Sequence, residues 1–332
     1  MELQMSLTGL LPQPPYPWFT SVWEGFARQV DQDRLPHAVL LVGQTGIGIL
    51  ELARAMGQYL LCSAPRPERS CGQCRACLLI QADSHPDLHW VAPEEGAQSI
   101  KIAQIREMTE FTNKTAQQGG RKLVVLSPAE AMNANAANAL LKSLEEPNGD
   151  CVYLLVSEQP AFLMATIRSR CSRLQIRTPE FADALQWLER NRVADAENLL
   201  QAAGGRPLRV MEWLSNDLWG QREQLRGELL KLLDGTTSFL ECAKVVSAFG
   251  GVWIVEQLQI WMAEAVRTSA SRQRCDDALI GHLMVLPMQR LLRFYDFLGT
   301  KKRLLLSTAN PNPQLLLEEI MMDLKELGRK TS

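Results

Sequence analysis

Ala38-Val39-Leu40-Leu41-Val42-Gly43-Gln44-Thr45-Gly46-Ile47-Gly48-Ile49-Leu50 is a short apolar run that ends in a glycine loop and passes into helical spacing from Glu51 to Leu61. Strand, glycine loop and helix in that order form the context of a phosphate-binding loop, whose glycines let backbone N–H groups close on phosphate oxygens. The chemistry of such a loop lies in its last two positions, a Lys for the β- and γ-phosphates and a Ser or Thr hydroxyl for Mg²⁺. Here those positions are Ile49 and Leu50. The frame of Gly43, Gly46 and Gly48 therefore stands without its charge or its metal ligand, and no productive ATP binding is expected. Such a chain is expected to be a partner of an ATPase rather than an ATPase. Taken alone, the glycines fit an ordinary tight turn as well.

Outward from this stretch, Trp18 to Gln32 has Val22, Phe26 and Val30 at helical spacing, and Pro36 stops that helix before the strand. Downstream, Ile102, Ile105, Met108 and Phe111 mark another helix, closed by Gly119-Gly120. Leu123 to Leu126 reads as a buried strand, Ala129 to Glu146 as a helix ended by Pro147, and Val152 to Val156 as a further strand. Apolar strands alternating with helices predict an α/β domain with a parallel sheet covered by helices. A nucleotide hydrolase would hold a metal-binding carboxylate at the end of the Leu123 to Leu126 strand. Ser127-Pro128-Ala129 stands there instead, with Glu130 displaced into the following helix. Losing both the loop Lys and this carboxylate fits a retired ATPase better than chance.

Beyond Pro179 helical periodicity dominates. Phe181 to Asn191, Asp195 to Ala203 and Pro207 to Leu214 read as three short helices, with Gly204-Gly205 between the last two, and from about Leu218 the chain reads as an all-α bundle. Trp213, Trp219, Trp253 and Trp261 fall in this helical part, where tryptophans at helical spacing are more often core than interface anchors.

With 35 basic and 37 acidic side chains the net charge is −2. That excludes the overall basic footprint of an autonomous nucleic-acid binder, so any DNA contact is expected to be local and assisted by partners. Met1 to Tyr16 lacks a basic segment followed by an apolar one, and no run of about 18 apolar residues occurs, so a soluble cytoplasmic protein without membrane contact is expected.

The chain has eight cysteines. Cys62, Cys71, Cys74 and Cys77 cluster, with two residues between each of the later pairs, whereas Cys151, Cys171, Cys242 and Cys275 are scattered through apolar or helical stretches and are expected to be inert thiols. Four thiolates close in sequence match a closed tetrahedral zinc site, structural rather than catalytic. An iron–sulfur cluster is the rival, although the bacterial ferredoxin run requires a further Cys just downstream of Cys77. Unliganded thiols are the third reading. His85 and His89 lie nearby as substitute ligands, with packing roles the plainer expectation.

Two further segments are distinctive: Leu140-Leu141-Lys142-Ser143-Leu144-Glu145-Glu146-Pro147 and Thr166-Ile167-Arg168-Ser169-Arg170-Cys171. Together with the cysteine spacing, the altered loop, Arg34-Leu35-Pro36-His37-Ala38 and, more loosely, Asn312-Pro313-Gln314-Leu315, they resemble the δ′-subunit family of bacterial DNA polymerase III clamp loaders, within the AAA+ superfamily. The resemblance implies three domains: a nucleotide-binding-like AAA+ domain over 1–178 carrying the zinc module at 62–77, a small three-helix lid over 179–216, and a helical collar for oligomerisation over 217–332. It also implies a non-hydrolysing stator, without catalysis of its own, in a DNA-directed DNA polymerase (nucleotidyltransferase) holoenzyme. The implied partners are the γ/τ ATPase subunits, the δ subunit, the sliding clamp indirectly, and primed DNA within the complex.

In such a protein Ser169-Arg170-Cys171 projects Arg170 toward ATP held by the neighbouring subunit, where a guanidinium supplied in trans offsets charge on the transferring phosphoryl group. The competing reading is that Arg168, Arg170 and Arg173 solvate a helix end. Ser157 and Arg209 align with sensor and lid positions of active relatives and are expected to be vestigial or structural. Two other classes stay open from the residues alone: an independent P-loop nucleotide hydrolase with unusual metal ligation, and a zinc or redox regulatory protein centred on the cysteines.

Overall fold

Successive residues of the central strands point into two different cores, and that alternation organises the first half of the chain. The computed structural model describes residues 13–118, 120–147, 149–271, 277–305 and 312–329. It comprises two compact units, Met1–Val210 and Met211–Ser332. Cys275, Gly119 and the start of the Met1 to Tyr16 stretch lie outside the described residues.

In the first unit the elements are α1 (Thr20–Asp31), β1 (Ala38–Val42), α2 (Ile49–Leu61), α3 (Arg75–Gln81), β2 (Leu88–Val91), α4 (Ile102–Asn113), β3 (Lys122–Leu126), α5 (Ala134–Glu145), β4 (Cys151–Ser157), α6 (Ala165–Arg168), β5 (Ser172–Gln175), α7 (Phe181–Arg190) and α8 (Ala196–Ala202), and α9 (Pro207–Ser215) begins in the first unit and ends in the second. The strands form one sheet in the order β2-β3-β4-β1-β5. Every pairing is parallel, with Ala38 opposite Tyr153, Leu40 opposite Arg173 and Val124 opposite Tyr153. Every residue of β1, β3 and β4 is buried, as expected of strands covered on both faces.

Val39, Leu41, Leu123, Val125, Leu154 and Val156 pack with Trp23, Phe26, Leu52 and Met56. On the other face Leu40, Val42, Val124, Leu126, Tyr153 and Leu155 pack with Ile105, Met108, Leu140 and Leu144. This five-stranded parallel sheet, followed by a helical region, is the α/β plus all-α architecture that the sequence pattern predicted.

Three differences from the sequence expectation have physical reasons. β2 and β5 were not expected; they are the edge strands, less buried than β1, β3 and β4, and β5 carries Ser172, Arg173 and Gln175 outward. The expected helix from Ala129 to Glu146 is broken. A 3₁₀ turn (Ala129–Ala131) precedes α5, whose start is set by the Asn133 side chain accepting from the Ala136 N–H at 2.9 Å. Arg173 lies on β5 and so does not belong to the helix end at which Arg168 sits.

The second unit contains α10 (Leu218–Leu233), α11 (Phe239–Val246), α12 (Gly251–Ser271), α13 (Ala278–Met284), α14 (Met288–Leu305) and α15 (Pro313–Arg329). Their shared core includes Leu225, Leu229, Val246, Leu258, Trp261, Leu291, Leu298 and Ile320. Ser238 and Glu241 close a reciprocal cap at the start of α11, and Asp277 caps α13 through the Leu279 and Ile280 amides. Trp213 and Trp261 are buried, as the core reading of the tryptophans expected.

Candidate functional site

Three groups of residues bear on function, all in the first unit. The glycine loop joins β1 to α2, as its sequence context requires. Gly46 and Gly48 adopt φ of +85° and +93°, which L side chains rarely take. The space above them is filled by the protein itself. A side chain at Gly46 would meet Arg209 Cβ at 2.8 Å, and one at Gly48 would strike the Tyr16 ring and approach Leu208 Cδ1 at 3.1 Å. The Gly46 carbonyl accepts from the Leu208 N–H at 3.1 Å, and the Trp18 indole donates to the Ile47 carbonyl at 2.9 Å. Tyr16 stacks on Trp18 with ring centroids 4.8 Å apart, and Trp187 meets both edge-on.

The loop's own chemical positions offer phosphate no charge either. Ile49, in the position of the missing Lys, is 2% exposed. The Thr45 hydroxyl donates to Glu158 Oε2 at 2.7 Å, which sets a carboxylate beside the loop. Glu130, the acid displaced from the strand end, accepts the Glu158 and Gln159 N–H groups at 3.1 and 2.9 Å. Its carboxylate thus holds a backbone turn. Ser157 and Arg209 are both buried, Ser157 at the end of β4 and Arg209 against Gly46.

The four clustered cysteines converge. Their sulfur atoms all lie within 4.8 Å of one another, with Cys62 and Cys74 at 3.9 Å and Cys71 and Cys77 at 4.0 Å. A tetrahedral site with metal–sulfur bonds near 2.3 Å has sulfur–sulfur edges of about 3.8 Å. The donor set therefore fits a tetrahedral metal. Local folding makes the convergence: Cys74 caps α3 with its sulfur accepting from the Cys77 N–H, and the Cys71 and Cys74 amides point at the sulfurs of Cys62 and Cys71 at 3.2 Å.

Burial opposes ionisation of Cys74, yet the Cys77 and Ser63 amides and the neighbouring thiols bring it down to about 6. Amides of Gln73 and Cys74 lower Cys71, while burial raises Cys62 and Cys77. The module is tied to α1 by the Trp23 indole, which donates to the Glu68 carbonyl at 2.7 Å. His85 and His89 lie outside the cluster: His85 is buried with Nδ1 accepting from the Asp87 N–H, and His89 stacks on Phe111. Cys151 and Cys242 are buried and Cys171 half-buried, and burial pushes their thiols up to about 11, 12 and 11.

Ser169, Arg170 and Cys171 link α6 to β5. Arg170 Nε donates to Glu145 Oε1 at 2.7 Å, Nη2 meets the same oxygen, and Nη1 donates to the Thr166 carbonyl at 2.9 Å. Its side chain remains 34% exposed. The Ser169 hydroxyl turns back to the same Thr166 carbonyl. Arg170 is thus held at the surface in one orientation by residues from α5 and α6. Glu145 and Tyr16 had no role assigned from the sequence. Glu145 stood inside a segment already distinctive, whereas nothing local marks Tyr16 as covering a loop far along the chain.

A family model described as "DNA polymerase III, delta subunit" matches residues 19–180. Among curated proteins, this chain is similar to DNA polymerase III subunit delta′ of Pseudomonas aeruginosa, 36% identical across 92% of this chain and 96% of that protein. It is 37% identical to the Escherichia coli delta′ subunit across 63% of this chain and 64% of that protein. With the Bacillus subtilis delta′ subunit the identity is 44%, over 44% of this chain and 43% of that protein.

Proposed function

The chain belongs to the DNA polymerase III delta′ subunit family, and from that premise we propose that it is the stator of a cytoplasmic clamp loader. It hydrolyses no ATP itself, assembles with γ/τ ATPase subunits and a δ subunit, and supplies Arg170 in trans to a neighbouring ATP site. Residues 1–178 serve as the AAA+ body, 179–216 as the lid and 217–332 as the oligomerising collar. Through those partners it takes part in opening and closing the sliding clamp on primed DNA.

The observation that carries this reading is the contrast between two sites of one domain. The phosphate loop has Ile49 where a Lys is required and is covered by Tyr16, Leu208 and Arg209. Arg170, by contrast, is oriented by Glu145 and Thr166 with its guanidinium partly open to a partner. A guanidinium so placed adds positive charge where a phosphoryl group in flight accumulates negative charge.

Zinc is the metal we assign to Cys62, Cys71, Cys74 and Cys77. Bound there it supplies a structural crosslink, because four protein ligands leave no open position for substrate. The chain's own share of that site is the set of amides directed at the sulfurs.

The test is reconstitution with the cognate ATPase and δ subunits, followed by clamp- and DNA-stimulated ATP hydrolysis for wild type and Arg170→Ala. A drop of roughly 10³-fold at the affected site, with assembly intact, is expected of a trans arginine. Failure of wild type to assemble or to change turnover rejects the reading.

A further inference from the structure

Beside Arg170 lies an open cleft of about 360 Å³, lined by Leu40, Pro160, Ala165, Arg168, Ser169 and Arg173. Its place follows from the sheet. Leu40 of β1 is paired with Arg173 of edge strand β5, and no further strand pairs outside β5 among the described residues. Arg168 ends α6 and faces the same hollow. Both guanidiniums and Ser169 are exposed. Among the described residues neither arginine has an acidic partner; Arg173 donates to the neutral Gln175 side chain at 2.5 Å.

We propose that this cleft receives an acidic surface segment of the neighbouring protein subunit, whose carboxylates pair with Arg168 and Arg173. The inference rests on the clamp-loader reading above and adds to it the residues that recruit the partner, as distinct from the one that acts on its ATP. Charge complementarity selects the occupant, because guanidinium forks match carboxylates in two-point geometry. The Pro160 and Ala165 wall, half-buried and exposed, gains only from a macromolecule that covers it, so a small dissolved anion is a poor match. Nucleic acid is disfavoured too: backbone binding follows long basic tracks, whereas this cleft offers two arginines on a chain of net charge −2. Arg168, Ser169 and Arg170 are consecutive, so a subunit that receives Arg170 necessarily approaches the cleft as well.

The experiment titrates the full-length chain into its cognate ATPase and δ subunits, reading complex formation by fluorescence anisotropy at several salt concentrations and ATP turnover in parallel. Arg168→Glu combined with Arg173→Glu is expected to weaken assembly roughly 100-fold, and each single Arg→Gln change about tenfold, with a flatter salt dependence. The loss should appear in the concentration giving half-maximal stimulation, whereas Arg170→Ala should lower the plateau. Assembly of both charge-reversed and neutralised variants at wild-type affinity overturns the proposal while leaving the trans-arginine reading standing. Absence of assembly by wild type overturns both. Weakening matched by added oligonucleotide competitor, with no effect of acidic competitor peptide, would assign the cleft to nucleic acid and also overturn it.

Discussion

Glu145 at the end of α5 holds Arg170 from twenty-five residues upstream, its Oε1 accepting from Nε at 2.7 Å. Both side chains are partly exposed, so the pair contributes modestly to stability, on the order of 0.2–1 kcal/mol. Its larger effect is on charge: in the proposed trans role, a guanidinium paired with a carboxylate would have to exchange that partner for phosphate. Glu145→Gln is therefore expected to leave the thermal midpoint within a few degrees of wild type and to lower the ATP concentration for half-maximal turnover of the assembled complex. An unchanged half-maximal concentration would show that the pair is not exchanged during turnover.

The glycine loop is closed by packing as well as by lost chemistry. Ile49→Lys with Leu50→Ser restores the missing groups in sequence, but Ile49 is 2% exposed and Tyr16 and Leu208 cover Gly48. Burying an ammonium there is expected to cost roughly 3 kcal/mol, without gain of nucleotide binding. Chemical denaturation and titration with a fluorescent ATP analogue check the two halves; tight binding by the double variant would refute steric closure.

For the cysteine module, metal analysis of purified wild type is expected to give one zinc per chain. Cys74→Ser should lose it and unfold at lower temperature, with no direct effect on phosphoryl transfer in the assembled complex. Protein that is metal-free as isolated and no less stable after chelation would remove the metal assignment.

At the start of α11 the Ser238 N–H and hydroxyl donate to Glu241, holding its carboxyl below the ordinary glutamate value. A depressed folded value means that the stabilisation is present above the unfolded value and is lost as pH falls through the folded one. Ser238→Ala is expected to cost about 1 kcal/mol at neutral pH and to reduce the acid-side slope of thermal midpoint against pH. Parallel slopes for variant and wild type would argue against this cap as a source of acid sensitivity.

In the helical unit Arg222 is buried with its guanidinium carbon 4.8, 5.3 and 5.4 Å from the ring centroids of Trp261, Trp219 and Trp213, and burial pulls its pKa down to about 10. A lysine keeps the charge and loses the flat stack. Arg222→Lys is expected to destabilise by roughly 2 kcal/mol, read by urea unfolding with tryptophan emission; an unchanged midpoint would mean that charge alone suffices.

How much of this was legible depended on distance along the chain and on burial. β1, β3 and β4 were readable because every residue in them is buried and apolar runs mark such strands. Leu88-His89-Trp90-Val91 and Ser172-Arg173-Leu174-Gln175 were not, because edge strands carry polar and half-exposed side chains that mimic loops. The cysteine cluster was readable because its four members are local in sequence. Tyr16 over Gly48, Arg209 against Gly46 and Glu145 on Arg170 were not, since each contact is made only when the sheet brings distant segments together.

The parallel register also orders events on the ribosome. β1 is flanked by β4 and β5, with Leu40 between Leu155 and Arg173, so the strand that carries the glycine loop cannot be completed until β5 has emerged. The four cysteines, by contrast, lie within Cys62 to Cys77, and amides of that same stretch are directed at their sulfurs. Synthesis thus releases the cysteine module first and leaves the apolar β1 segment unpaired for most of the first unit's translation. An apolar strand waiting that long for its neighbours is the general setting in which chains of parallel topology are prone to aggregate.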